Sequence, residues 1–185
     1  MILVRHQEKA RSFIKDFLII ECASLLLALL SPLAIALPFT PVPIVWAGVL
    51  SLVFGVVLGK ERGALAVIAY LIQGAMGLPV FALGGCGLLH LLGPKGGYLI
   101  GYAVGSYLTG YCYEKMGIRS SLGLFCSLLA GMSAVFVVGV AQLSWYVGLR
   151  NAFLLGCLPF VILDICKLLV AHSLLMVFGR RYNKV

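Results

Sequence analysis

Charge is scarce in this chain, and acid is scarcer than base. Only 11% of its 185 residues are Asp, Glu, Lys or Arg, and six acidic residues stand against fourteen basic ones. A typical soluble domain carries about 25% charge. Apolar residues make up 62% and the mean hydropathy is +1.10. No soluble domain of this length buries that much apolar surface. The class is therefore integral membrane, one domain over 1–185. No internal repeat is visible, and no removable signal sequence is expected. Only three histidines occur (His6, His90, His172), none with a carboxylate at helical spacing. A phosphate loop is missing as well: Gly55-Val56-Val57-Leu58-Gly59-Lys60 is one residue short of the pattern and runs on into Glu61. These absences argue against an enzyme, and against ATP hydrolysis by this chain. Cys22, Cys86, Cys112, Cys126, Cys157 and Cys166 form no Cys-x-x-Cys pair and have no His at ligand spacing. They read as packing residues rather than a metal site or disulfide. No metal or cofactor is expected.

The net charge of +8 does not point to nucleic acid, because its placement follows a membrane pattern. Basic residues cluster between apolar runs. The runs place spans at about 16–37, 44–58, 63–76, 98–113, 122–147 and 153–178. Pro32 is expected to kink the first and Pro159 lies in the last, while Lys60-Glu61-Arg62 and Arg150-Asn151 read as turns. One side of this arrangement holds Arg5, Lys9, Arg11, Lys15, Lys60, Arg62, Lys115, Arg119, Arg180, Arg181 and Lys184. The other side holds only Lys95 and Arg150. Eleven against two predicts six transmembrane helices with both termini cytoplasmic. The basic N-terminus (1–15) and tail (180–185) then face the cytoplasm.

Residues 77–97 break the helical pattern with seven glycines and two prolines, yet stay apolar. Non-helical apolar chain at membrane depth is tolerated only against protein or a cavity. The segment is expected to be a folded external loop over a site.

Two charges lie inside the last apolar stretch, Asp164 and Lys167. Three residues apart on a helix, they share one face. A charge at that depth costs roughly 2.5–3.5 kcal/mol on insertion scales. Two readings stand: a self-neutralising structural pair, or polar hooks for a substrate held within the membrane. Tyr70 and Gln73, also three apart, are weaker candidates to line a pocket. Asp16 and Glu21 at the inner end of span 1 read as snorkelling to the interface. The small-residue pairs Ser24/Ala28 and Gly101/Gly105 suit close helix packing, within the chain or against a partner.

Four motifs in register carry a family resemblance. They are Tyr70-Leu71-Ile72-Gln73-Gly74-Ala75-Met76-Gly77-Leu78-Pro79-Val80-Phe81-Ala82, Leu92-Gly93-Pro94-Lys95-Gly96-Gly97-Tyr98-Leu99-Ile100-Gly101-Tyr102, Pro41-Val42-Pro43-Ile44, and Pro159-Phe160 followed by Asp164 and Lys167. In order and spacing they resemble the biotin-specific S component (BioY family) of energy-coupling-factor transporters. Four departures stand beside the match. Val45-Trp46-Ala47 replaces the family's Thr-x-Gln, Lys95 replaces a threonine, Leu83, Cys86, Leu89 and His90 interrupt its glycine-rich run, and Ile162-Leu163 replaces a frequent Pro-Gly.

The resemblance implies biotin uptake through the prokaryotic cell membrane. The partners implied are a transmembrane coupling subunit and a pair of ATPases. It further implies that Asp164 and Lys167 contact the polar head of biotin, beneath the loop from Phe81 to Gly97. Trp46, Phe81 and Tyr98 are then candidate apolar walls, and glycines from Gly84 onward would let backbone N–H groups approach the ligand. Trp46 equally suits an interfacial anchor, and Lys95 a solvated loop charge. Other readings are an S component for another heterocyclic vitamin, or a channel or structural membrane protein.

Overall fold

The computed structural model describes residues 2–38, 40–116 and 120–182, with side chains described for 13–38, 40–116 and 120–177. The basic side chains of 1–12, Arg119 and the 180–185 tail lie outside these. Among the described residues the fold is all-helical apart from one tiny ribbon. Its helices are α1 (Ile2–Leu30), α2 (Ala47–Val57), α3 (Lys60–Ala75), α4 (Leu88–Leu92), α5 (Gly96–Met116), α6 (Ser121–Val147), α7 (Leu149–Gly156) and α8 (Leu158–Tyr182). The ribbon pairs β1 (Ala34–Ile35) antiparallel with β2 (Ile44–Val45).

Several boundaries differ from the sequence expectation, each for a local reason. Pro32 does not kink the first span; it ends it. The residue before a proline is pushed out of the helical region, so α1 stops at Leu30 and the chain enters the ribbon. Ile44 and Val45 belong to β2, not to a second span. Lys60-Glu61-Arg62 is the first turn of α3 rather than a loop, because the reversal is made by Leu58 and Gly59, with Gly59 at φ +85°. Arg150 and Asn151 likewise lie in α7; the bends are at Gly148 (φ +79°) and Cys157.

Ser121–Val147 and Leu149–Val177 are each long and apolar enough to cross a membrane unaided. Helix α2, with 11 residues, is only about 16 Å long, well short of a bilayer core of about 30 Å. The surface is what a bilayer demands: Phe13, Leu29, Leu122, Val137, Trp145 and Ile162 are each at least 69% exposed. Spread over a water-facing surface, such residues would drive aggregation.

The interior is closed by small residues. Gly97, Gly101 and Gly105 lie at four-residue intervals on α5 and face Val135, Gly139 and Gly131 of α6. A Cβ on Gly105 would sit 2.8 Å from the Gly131 carbonyl oxygen. The Gly101/Gly105 pair is therefore consumed within the chain. Ser24 is fully buried as well. At the other side of α5, Gly55 of α2 meets Gly63 of α3 and Gly110 of α5 backbone to backbone.

Polar ties fix the ends. Asp16 pairs with Arg62 at 2.8 Å and Lys60 with Glu114 at 2.9 Å. Glu21 accepts from the Gln73 amide at 3.1 Å, so it is held by α3 rather than left to snorkel. The Ser120 hydroxyl caps α6, accepting from the Gly123 amide at 3.3 Å.

Candidate functional site

The Asp164–Lys167 pair lies on α8 where that helix faces the ribbon and the stretch of α6 around Met132–Phe136. The Lys167 ammonium donates to Asp164 Oδ1 at 2.8 Å and to the Val45 carbonyl oxygen at 3.0 Å. Its side chain is 9% exposed and that of Asp164 15%. Helical spacing aligns the two charges, and β2 supplies the third partner because a two-residue strand leaves its carbonyls unpaired on one edge. Each charge thus has a counter-charge or a dipole, as burial requires. Two of the three ammonium donors are used, and the Asp164 bond runs through one oxygen only. One N–H and one carboxylate oxygen remain for a ligand.

The carboxylate borders a cavity of about 40 Å³. Its walls are Val42, Pro43 and Val45 from the ribbon turn, Gly48 of α2, Tyr98 and Tyr102 of α5, Met132, Val135 and Phe136 of α6, Gly156, and Phe160 of α8. Small-molecule sites run to ~300–1,000 Å³, so this conformation is closed. The closure is tied by hydrogen bonds. Tyr98 Oη donates to the Gly156 carbonyl at 2.8 Å. Thr40 Oγ1 donates to the Leu155 carbonyl at 2.7 Å while accepting from the Val42 amide at 3.2 Å. The ribbon turn is thereby fastened to α7, and α7 to α5. A ligand can enter only if the ribbon turn or α8 moves.

Of the expected site residues, Asp164 and Tyr98 lie on the cavity wall, while Lys167 and Trp46 line the groove on the other side of α8. The Trp46 ring lies 5.8 Å from the Lys167 ammonium. It faces away from the cavity into an apolar groove between α2 and α8, and is 53% exposed. Phe81 and Gly84 are elsewhere. Phe81 is fully buried against α3, with Tyr70 edge-on at 5.5 Å and His90 stacked at 5.3 Å. Gly84 ends a 3-10 turn (Ala82–Gly84) and is exposed. Neither borders the cavity. Tyr70 and Gln73 are also spent elsewhere. Tyr70 Oη hydrogen-bonds Ser31 Oγ at 2.7 Å and donates to the Val80 carbonyl at 3.2 Å, joining α1, α3 and the 77–97 loop.

Sequence reasoning passed over Thr40 and read Tyr102 as a packing or belt residue, not as a cavity wall. Tyr102 follows Tyr98 by one helical turn, a spacing that places both on one face. Thr40 carried no such signal, because its partner is 115 residues away. No group of three metal-ligating side chains occurs among the described residues.

Burial, with the charge of Lys95 adding to it, holds the His90 imidazole below its ordinary value. A depressed folded value means that the neutral ring contributes stability above about pH 6.5, lost as the pH falls through the folded value. Acidification below that point is expected to raise amide exchange across 77–97 beyond the change in intrinsic rate. His90→Phe should remove the dependence. Tyr70→Phe is expected to lose about 1–3 kcal/mol of stability, since it leaves the buried Ser31 hydroxyl and the Val80 carbonyl short of a partner. Thermal unfolding in detergent reads that loss.

Known proteins share the sequence and fold of this chain over most of its length. The model of the BioY family matches residues 5–184. The "Biotin transporter BioY" of Thermotoga maritima is 41% identical over 138 residues, which cover 74% of this chain and 80% of that protein. The protein of the same name from Rhizobium etli is 35% identical over 157 residues, covering 80% and 82%. Among solved structures, the S-component for biotin from an ECF-type ABC transporter superposes with a TM-score of 0.80 at 28% identity, covering 95% of this chain and 94% of that one. The chain belongs to the BioY family.

Proposed function

We propose that this chain captures biotin at the outer face of a prokaryotic cell membrane and passes it inward. Family membership and the likeness to a biotin S-component support the substrate class. The observation that carries the site is Asp164, paired with Lys167, on the wall of an apolar, aromatic-walled cavity, with Lys167 reaching it from the groove on the other side of α8. The cyclic urea of biotin has two N–H donors and one carbonyl acceptor. The unengaged Asp164 oxygen suits an N–H, and the remaining Lys167 N–H suits the urea oxygen. Tyr98, Tyr102, Phe136 and Phe160 supply apolar walls for the fused rings once the cavity opens. Exclusion of water strengthens both polar contacts.

In this reading α1, α2, α3, α5, α6 and the α7–α8 pair make six crossings with both termini cytoplasmic. The eleven-to-two division of basic residues supports that orientation. The ribbon turn and the 77–97 loop then lie outside. The chain does no chemistry on biotin, and energy comes from a transmembrane coupling subunit with ATPase subunits, as the ECF-type neighbour suggests.

The test is binding of radiolabelled biotin to the purified protein in detergent. Saturable binding that unlabelled biotin displaces, and excess riboflavin or thiamine does not, is the expected result. Folded protein with no saturable biotin binding would sink the proposal. Asp164→Asn should weaken binding at least tenfold, because an amide cannot accept through both oxygens; the binding isotherm reads this directly.

A further inference from the structure

Helix α8 is flanked by two lateral apolar grooves, and one of them has the features of a lipid site. The groove between α6 and α8 has a volume of about 580 Å³. Phe136, Val137 and Val140 of α6, Leu149 and Phe153 of α7, and Ile165 of α8 line it. Val137, Leu149 and Phe153 are 69%, 71% and 51% exposed, so nothing among the described residues covers this face. At one end the last turn of α6 meets the first turn of α7. That end carries Trp145, 86% exposed, and Tyr146, 53% exposed. It also carries Arg150, one residue after Leu149 and three before Phe153. Among the described residues Arg150 forms no ion pair.

An exposed tryptophan and tyrosine mark the headgroup level of a bilayer. An unpaired guanidinium at that level attracts anionic lipid and matches a phosphate in its fork geometry. The groove on the other side of α8 is comparable in volume, about 640 Å³, and equally apolar. Its one cation is Lys167, already engaged by Asp164 and the Val45 carbonyl. Arg150 is not on the wall, but it is an exposed cation flanked in α7 by the lining residues Leu149 and Phe153, and the other groove has no free cation beside it among the described residues; this singles out the α6–α8 groove.

We propose that this groove holds an acyl chain of one anionic phospholipid from the bilayer, with its phosphate met by Arg150. Asp164 lines the inner part of the same groove. The bound chain therefore shields the carboxylate from the open bilayer. The inference rests on membrane placement and not on the vitamin, so a failure of biotin binding would leave it standing.

The experiment is native mass spectrometry of the delipidated protein, offered palmitoyl-oleoyl phosphatidylglycerol or phosphatidylcholine. The parent is expected to retain one phosphatidylglycerol in preference to phosphatidylcholine. Arg150→Gln should cut that preference about fivefold, as expected for one basic residue at the surface. Ala141→Phe fills the groove from α6 and should abolish retention of both lipids. If that variant fails to unfold cooperatively, Ser133→Leu on the same wall replaces it. Lys60→Gln, at the other end of the bundle, should change nothing. Three outcomes would overturn the assignment: no lipid on the parent, equal retention and preference in the parent and both variants, or lipid displaced one for one by biotin.

Discussion

Lys167→Ala is expected to lose about 3–5 kcal/mol of stability and to abolish biotin binding. The size follows from what the substitution strands. Asp164 would keep its charge within a side chain that is 15% exposed, without its only ion-pair partner. The Val45 carbonyl would lose its donor as well. An uncompensated buried charge is among the few defects that reach this magnitude. The companion variant separates the two readings of the pair. Asp164→Leu with Lys167→Met replaces both charges by apolar groups, a change that is often neutral or stabilising for a buried pair. The double variant should therefore unfold near the parent midpoint and bind no biotin. Thermal unfolding and equilibrium dialysis on the same three preparations decide it. A double variant that binds as the parent does would reduce the pair to a structural device.

The second large effect is expected at a position without any chemistry. Gly55→Leu places a side chain where α2 and α5 touch through backbone, with the Ser106 carbonyl directly in the path of the new Cβ. Leucine is the better helix former, by about 0.8–1.0 kcal/mol over glycine, so local propensity favours the change. Overpacking opposes it at about 1–3 kcal/mol or more, and here no flexible side chain can yield, because Gly63 and Gly110 also present backbone. Packing wins, and the loss should stand at the upper end of that range. Gly123→Ala is the matched control. Its Cβ would meet Met116 and Ser120 at an ordinary 3.5 Å, so helix propensity acts unopposed and stability should rise by about 0.5–1 kcal/mol. Unfolding midpoints of the two variants in one detergent measure the contrast.

Which features could be read from sequence depended on how local their causes are. Helix α6 was expected over 122–147 and runs Ser121–Val147, because one uninterrupted apolar run with a serine cap determines both ends. The Asp164–Lys167 pair was visible because charge is rare in so apolar a stretch. The ribbon was not visible. Its strands are two residues each, and they exist because three prolines and a short turn bring 34–35 back onto 44–45. The turn between the fifth and sixth spans was placed on Arg150-Asn151, since polarity suggested it there; the backbone turns at Gly148 instead, and the second bend at Cys157 was not expected. Phe81 and Gly84 were grouped with the pocket from loop membership alone. Distance from the cavity is a tertiary fact, and the slot that receives Phe81 is shaped by Gly74 on a different element. The small-residue pair Gly101/Gly105 announced a close approach without saying to what; α6 is the answer.

That slot bears on time rather than on affinity. Phe81 fills the space left by Gly74, clamped between Tyr70 and His90, and the loop amide of Gly87 reaches the Gly74 carbonyl at 2.7 Å. The 77–97 segment cannot lift away without drawing the ring into water or lipid. Withdrawal of a buried phenyl ring into water is worth about 1.5–3 kcal/mol. Openings of the segment are therefore slowed or thinned by roughly ten- to a hundredfold relative to a loop without the plug. No residue of 77–97 lines the cavity, so this aromatic plug sets how long the loop stays down, independently of how tightly the cavity holds anything.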